Sequence, residues 1–133
     1  MTWRSIPLAA AVIVGGLAWA PGVSAHHSSA AAYDATKTVQ AQGAVTRVLL
    51  KNPHTFIFIE STDETGQKVQ WQIEMQASAT LFSQGWTKET ITVGMVLKAS
   101  GIPSRAPGSH GITNAQLSLP DGTPIGRPTA SQN

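Results

Sequence analysis

Cysteine is absent from the 133-residue chain. Disulfides and thiolate chemistry therefore have no part in its fold or function. Charge is scarce too: 12% of the residues are charged, with 9 Lys+Arg set against 7 Asp+Glu. There is no basic block and no charged tail. That excludes the electrostatic footprint of a nucleic-acid binder. Aromatic residues make up 6% of the chain and include a single tyrosine. Enzyme signatures are missing as well. The chain has no glycine-rich phosphate loop after a strand, no nucleophile elbow and no His-Glu-x-x-His. Catalysis is not expected.

The one long apolar run lies at the N-terminus. Arg4 precedes Ile6 to Ala20, a stretch interrupted by Pro7 and Gly15-Gly16. Pro21-Gly22 follows, then the small residues Val23-Ser24-Ala25. This is the pattern of a secretory signal peptide over residues 1–25, cleaved after Ala25. The run falls short of the roughly 20 apolar residues a membrane span requires. The expectation is a periplasmic or secreted protein, with His26 first and no transmembrane segment after cleavage. An exported domain without disulfides must be held by packing alone.

Residues 26–37 are small and polar, with Tyr33 as the only large anchor, and read as an extended arm. Thr38 to Leu50 reads as a long first strand whose apolar parity switches near Gly43, the expected place of a bulge. Asn52-Pro53 punctuates the chain. His54 to Glu60 reads as a second strand, apolar on both faces, and Val69 to Met75 as a third with clean alternation. A turn centred near Glu64 and Thr65 would set Phe58 opposite Trp71, Phe56 opposite Ile73 and His54 opposite Met75. Trp71 is then predicted to be buried. Ala77 to Gln84 suggests a short helix, with Ser78 as N-cap and Gly85 as the stop. Met95 to Ile102 and Ile112 to Leu119 complete the strands. Pro103 to Gly111 is a loop, and residues 123–133 are a tail expected to fray.

The order is three strands, a short helix and two strands. It predicts an all-β domain over residues 38–122, a five-stranded OB-like barrel with its short helix between strands three and four. A small open sandwich is the rival arrangement.

Several short motifs carry a family resemblance: His26-His27-Ser28 followed by Tyr33-Asp34, Asn52-Pro53-His54, Trp71 with Glu74, Leu81 with Gly85-Trp86, Gly94, Gly101 and Asp121-Gly122. Together they resemble the DUF6152 family of small exported bacterial proteins. The resemblance implies an exported β-rich domain and no particular catalysis. The loop Pro103 to Gly111, with His110 inside, stands where the family usually has a short charged turn. His110 therefore gains no role from the resemblance.

Three constellations bear on chemistry. A mature N-terminal His26 would offer its α-amine and ring nitrogen to copper, with His27 or His54 as a further ligand. The plainer alternative is a solvated arm. His54, stiffened by Pro53 and set beside the Met75 thioether, would suit Cu(I). The plainer alternative is a structural histidine bonded to a nearby carbonyl. Phe56, Phe58 and Trp71 would make a stacking face, or simply core. Glu60 and Glu74, the one conceivable carboxylate pair, point to opposite faces in this register. The reading is a binding or interaction module for an unidentified protein or small molecule. Periplasmic copper binding is the alternative, and an enzyme with an unrecognised site a distant third.

Overall fold

Runs of β-branched and aromatic residues form strands where their periodicity places them. The computed structural model describes residues 29–126. Its elements are α1 (Ser29–Ala32), β1 (Val39–Leu49), β2 (Thr55–Thr62), β3 (Lys68–Met75), α2 (Ser78–Ser83), β4 (Val96–Pro103) and β5 (Gly111–Ser118). The strands close into a barrel in the order β1-β2-β3-β5-β4. Only the β3–β5 pairing is parallel. The expected five-stranded barrel with a helix between its third and fourth strands is therefore what the chain forms. No helix among the described residues is long and apolar enough to cross a membrane.

β1 closes the barrel by serving two neighbours. Val39–Ala44 pair with β4, and Ala44–Leu49 pair with β2. At Gly43 a Cβ would stand 2.2 Å from the Glu60 carbonyl oxygen, so only glycine fits the approach. The bulge, expected at Gly43, falls instead between Val45 and Arg47, which pair with Ile59 and Phe58. Thr46 is the extra residue that bends the strand. Gly43 permits the contact, and Thr46 supplies the bend.

The β2–β3 register also differs from expectation. Ile57 pairs with Ile73, Ile59 with Trp71, Phe56 with Glu74 and Thr55 with Met75. The cause lies in the hairpin loop. Asp63 Oδ1 accepts hydrogen bonds from the Thr65 and Gln67 amides at 2.8 and 2.9 Å, and the Asp63 amide donates to the Gln67 carbonyl. The turn therefore centres on Thr65, half a residue beyond the expected point, and every partner moves by one. A one-residue slip exchanges the faces. Ile57 and Ile59 face inward with Ile73, and all three are fully buried. Phe58 lies on the outer face, covered by the Arg47 guanidinium 4.0 Å from its ring centre. Phe58 and Trp71 thus belong to opposite faces and form no common stacking surface. Trp71 is half-buried against the core rather than enclosed, with its indole N–H donating to Ser61 Oγ at 3.1 Å. Glu60 and Glu74 share the outer face, but at opposite ends of the strand pair.

The interior is aliphatic. Val45, Ile57, Ile59, Ile73, Leu97 and Ile112 are almost wholly sealed from solvent. α2 adds Leu81 below them, and Trp86 follows it into the core. Gly85, at φ +94°, reverses the chain, so that the Trp86 amide donates to the Leu81 carbonyl at 3.0 Å. Ser78 is not the N-cap. The helix begins at Ser78, and the cap position, Ala77, has no side-chain acceptor. Asn52 takes that role from across the chain: its Oδ1 accepts from the Ala79 amide at 3.3 Å and from the Ser78 hydroxyl at 3.2 Å.

Both flanking segments return to the barrel. Within the expected extended arm, Ser29–Ala32 form a helical turn, and Tyr33 bridges Ser104 of the β4–β5 connection. The Asp34 amide donates to the Pro103 carbonyl and the Arg105 amide to the Ala32 carbonyl. At the other end, where fraying was expected, Ser118 bridges Pro124 and Ile125 packs against the core. The expected signal peptide, His26 and His27 lie outside the described residues.

Candidate functional site

Three segments distant in sequence meet at one carboxylate. Glu74 lies near the end of β3, where the outer face turns toward α2. Its Oε1 stands 2.7 Å from His54 Nδ1, and its Oε2 accepts from the Tyr33 hydroxyl. β3 positions the acid, the Asn52-Pro53 turn positions the imidazole, and the docked arm positions the phenol. The Asn52–Pro53 peptide is cis. The Glu74 side chain is 19% exposed and that of His54 49%, so the carboxylate is withdrawn while the ring stays open to solvent. Burial raises the Tyr33 pKa first, and the adjoining Glu74 carboxylate raises it further. The phenol therefore remains protonated and serves as a donor.

A second set of contacts holds the arm in place. Asp34 Oδ1 accepts from the Thr36 hydroxyl at 2.6 Å and the Thr36 amide at 3.2 Å. Lys37 and Arg105 stand 3.3 and 3.5 Å from the same carboxylate. The Thr36 hydroxyl above all, with the two cations, brings the Asp34 pKa down to about 2. Arg105 Nε also donates to the Tyr33 carbonyl at 2.9 Å.

The Glu74 cluster contributes to the lining of a groove of about 1000 Å³. Gln76, Leu81 and Gln84 from around α2 and Asn114, Gln116 and Leu117 of β5 all contribute to its lining. That volume is at the upper end of what small-molecule sites enclose. On the other side of Tyr33 a smaller hollow of about 310 Å³ is lined by Phe58, Gln70, Gln72 and His110. The His110 ring meets Trp71 edge to face, with centroids 4.9 Å apart.

Of the residues expected in a site, His54 belongs to this one. Met75 lines the same groove, but Thr55 rather than His54 pairs with it. Among the described residues no group of three or more His, Cys, Asp and Glu gathers as a metal cage. Glu74 and Tyr33 were not foreseen as site residues. Their signal was present as separate strings, Tyr33-Asp34, Asn52-Pro53-His54 and Trp71 with Glu74. Only folding shows that these converge.

A family model described as a family of unknown function, DUF6152, matches residues 16–114. The chain belongs to the DUF6152 family. The matched span includes Tyr33, His54 and Glu74 and stops at Asn114, halfway along β5. No curated protein matches this DUF6152 chain.

Proposed function

We propose that this DUF6152 protein is an exported binding module, acting in the periplasm or outside the cell, whose groove receives a small molecule or a segment of a partner protein. One observation carries the reading: Tyr33, His54 and Glu74 arrive from three segments in the lining of a groove that also presents several carboxamide side chains. Convergent polar groups beside a partly apolar cleft are the usual mark of a binding site. Binding is favoured over turnover because Glu74 is already engaged by the Tyr33 hydroxyl and flanked by the His54 ring.

The test is a fragment screen by NMR on the protein beginning at His26. Binders are expected to shift the amides of Gln76, Gln84, Asn114 and Gln116 together. Fragments that bind only elsewhere would overturn the reading. Mass spectrometry of the exported protein checks the address, with His26 expected first. An intact Met1 in a membrane fraction would overturn it.

Copper is the second reading, favoured by one specific feature. Glu74 holds His54 by Nδ1, an arrangement metal-binding histidines commonly use to orient the other ring nitrogen. The arm carrying His26 and His27 is anchored through Tyr33 to the same carboxylate. Calorimetry decides between the readings. A copper site predicts one-to-one binding that weakens strongly in His54→Ala and when an extra residue precedes His26. Equal, weak affinity in all three proteins would dismiss it.

A further inference from the structure

The smaller hollow, of about 310 Å³, lies between the outer face of β3 and the β4–β5 connection. That volume is at the lower end of small-molecule sites. The walls are fixed by main-chain hydrogen bonds. The Ser104 amide donates to the Gly111 carbonyl at 2.9 Å and the Ser109 amide to the Ala106 carbonyl at 3.0 Å, so the connection closes on itself. The Gln72 amide donates to the His110 carbonyl at 2.9 Å, which ties the connection to β3. Gly111 leaves room in the hollow. A Cβ there would stand 3.1 Å from Ser104 Cβ and 3.4 Å from Ser109 Oγ, crowding both serines of the lining.

The chemistry of the lining narrows the ligand. Among the described residues no Asp, Glu, Lys or Arg contributes to it. An ion would find no countercharge there, and a zwitterionic amino acid would find neither of the two it needs. Gln70, Gln72, Ser104, Ser109 and a neutral His110 each carry both a donor and an acceptor. The Ser104 hydroxyl already accepts from the Ala106 amide at 3.2 Å, which leaves its proton to give. The Gln70 carboxamide donates to Thr46 Oγ1 at 3.5 Å, which leaves its oxygen to accept. Among the described residues the side chains of Gln72, Ser109 and His110 have no hydrogen-bond partner.

Apolar contact in the hollow is limited to two rings, Tyr33 and Phe58. Phe58 is 8% exposed, with the Arg47 guanidinium 4.0 Å from its ring centre. The Tyr33 hydroxyl is given to Glu74. A flat base takes its affinity from stacking on open aromatic faces. Here five hydrogen-bonding side chains surround one covered ring and one shared with the groove, which favours a ligand rich in hydroxyls.

We propose that the hollow binds a single neutral sugar ring, whose hydroxyls donate and accept as the lining does. The inference stands apart from the groove reading, because only Tyr33 lines both cavities.

The test titrates the isotope-labelled full-length protein, followed by NMR. The probes are D-glucose, D-galactose and N-acetyl-D-glucosamine, with glucuronate and uracil as contrasts. At least one neutral sugar is expected to shift the Gln72, Ser109, His110 and Gly111 amides at about millimolar concentration, the affinity open to so small a ligand. The Gln84 and Gln116 amides of the groove should stay in place. Gln72→Ala removes one exposed hydrogen-bonding side chain and should weaken binding about fivefold. Gly111→Ala should weaken it as well, with unchanged Ile73 and Leu97 amides showing that the barrel is intact. If Gly111→Ala fails to fold, Gln72→Ala decides alone. Sugar binding unaltered in Gln72→Ala would overturn the site. Tighter binding of glucuronate than of any neutral sugar would overturn the neutral class. Uracil shifting these amides while no sugar does would overturn the sugar. No shift of these amides with any probe at millimolar concentration would overturn the proposal and leave the groove reading untouched.

Discussion

The inner wall of the barrel and its rim are built on opposite principles. The wall is formed by Ile57, Ile59, Ile73, Leu97 and Ile112, which bury aliphatic surface. The rim is formed by Tyr33, His54 and Glu74, polar side chains that three segments bring into contact. Burial is non-directional, so the wall tolerates no lost volume but needs no particular partner. The rim buries little and depends on geometry. Stability should therefore reside in the wall and recognition at the rim, and substitutions can separate the two.

The largest effect is expected inside. Ile73→Ala should cost about 2–5 kcal/mol by urea denaturation, the range for a fully buried aliphatic side chain. A loss below 1 kcal/mol, roughly that of a surface change, would mean that the wall is not the stabilising region. Next comes Gly43→Ala, which drives a methyl group into the Glu60 carbonyl. It should cost roughly 1–3 kcal/mol, as overpacking does. A variant as stable as the parent would show that β1 and β2 can part there freely.

Thr55→Val sharpens the comparison in the other direction. The Thr55 side chain is fully buried, and its hydroxyl has no hydrogen-bond partner. Replacing an unpartnered buried hydroxyl with a methyl group should raise stability by about 1 kcal/mol. A loss of similar size would reveal a partner for the hydroxyl. At the rim, Tyr33→Phe removes only the phenolic donor to Glu74. It should change stability by less than about 1 kcal/mol, since a hydrogen bond contributes about that much net, yet weaken ligands that shift the groove amides. A large stability loss with unchanged binding would reverse the assignment of the two regions.

The smallest effect concerns acid. Asp34, which helps hold the arm, has its pKa lowered to about 2 from the ordinary 3.8. A lowered folded-state pKa contributes stability that is present above the unfolded value and is lost as pH falls through the folded one. The Asp34–Thr36 turn and its Arg105 contact should therefore loosen between about pH 4 and pH 2, seen as a lower protection factor of the Thr36 amide relative to its intrinsic exchange at each pH. Asp34→Asn should abolish that dependence. An unchanged profile in that variant would place the acid-sensitive group elsewhere.

The fold was largely legible because it rests on periodicity and order. Val69, Trp71, Ile73 and Met75 alternate so regularly that β3 could be placed before its partners were known. Leu81 followed by Gly85-Trp86 marked the helix and its stop. The register was not legible. Phe56-Ile57-Phe58-Ile59 is apolar on both faces, so hydropathy alone does not choose which pair turns inward. Asp63 chooses, by gathering the Thr65 and Gln67 amides and moving the centre of the turn. Likewise Gly43 was visible as an exception within a strand, but whether it served a bulge or a close approach depended on a carbonyl of another strand.

The candidate site divides in the same way. His54 stood out in the sequence because Asn52-Pro53 gives it rigid support. Glu74 did not, because an acidic residue on the polar parity of an alternating strand looks like ordinary solvated surface. What the sequence determined by itself was the element order, the apolar parity of β3 and the small domain that packing alone must hold. The tertiary structure alone decided the β2–β3 register, the capping of α2 by Asn52 and the meeting of Tyr33, His54 and Glu74. The physical reason is range. Hydrophobic periodicity is a property of neighbouring residues, whereas a hydrogen bond between Tyr33 and Glu74 spans 41 positions and exists only once the barrel has closed.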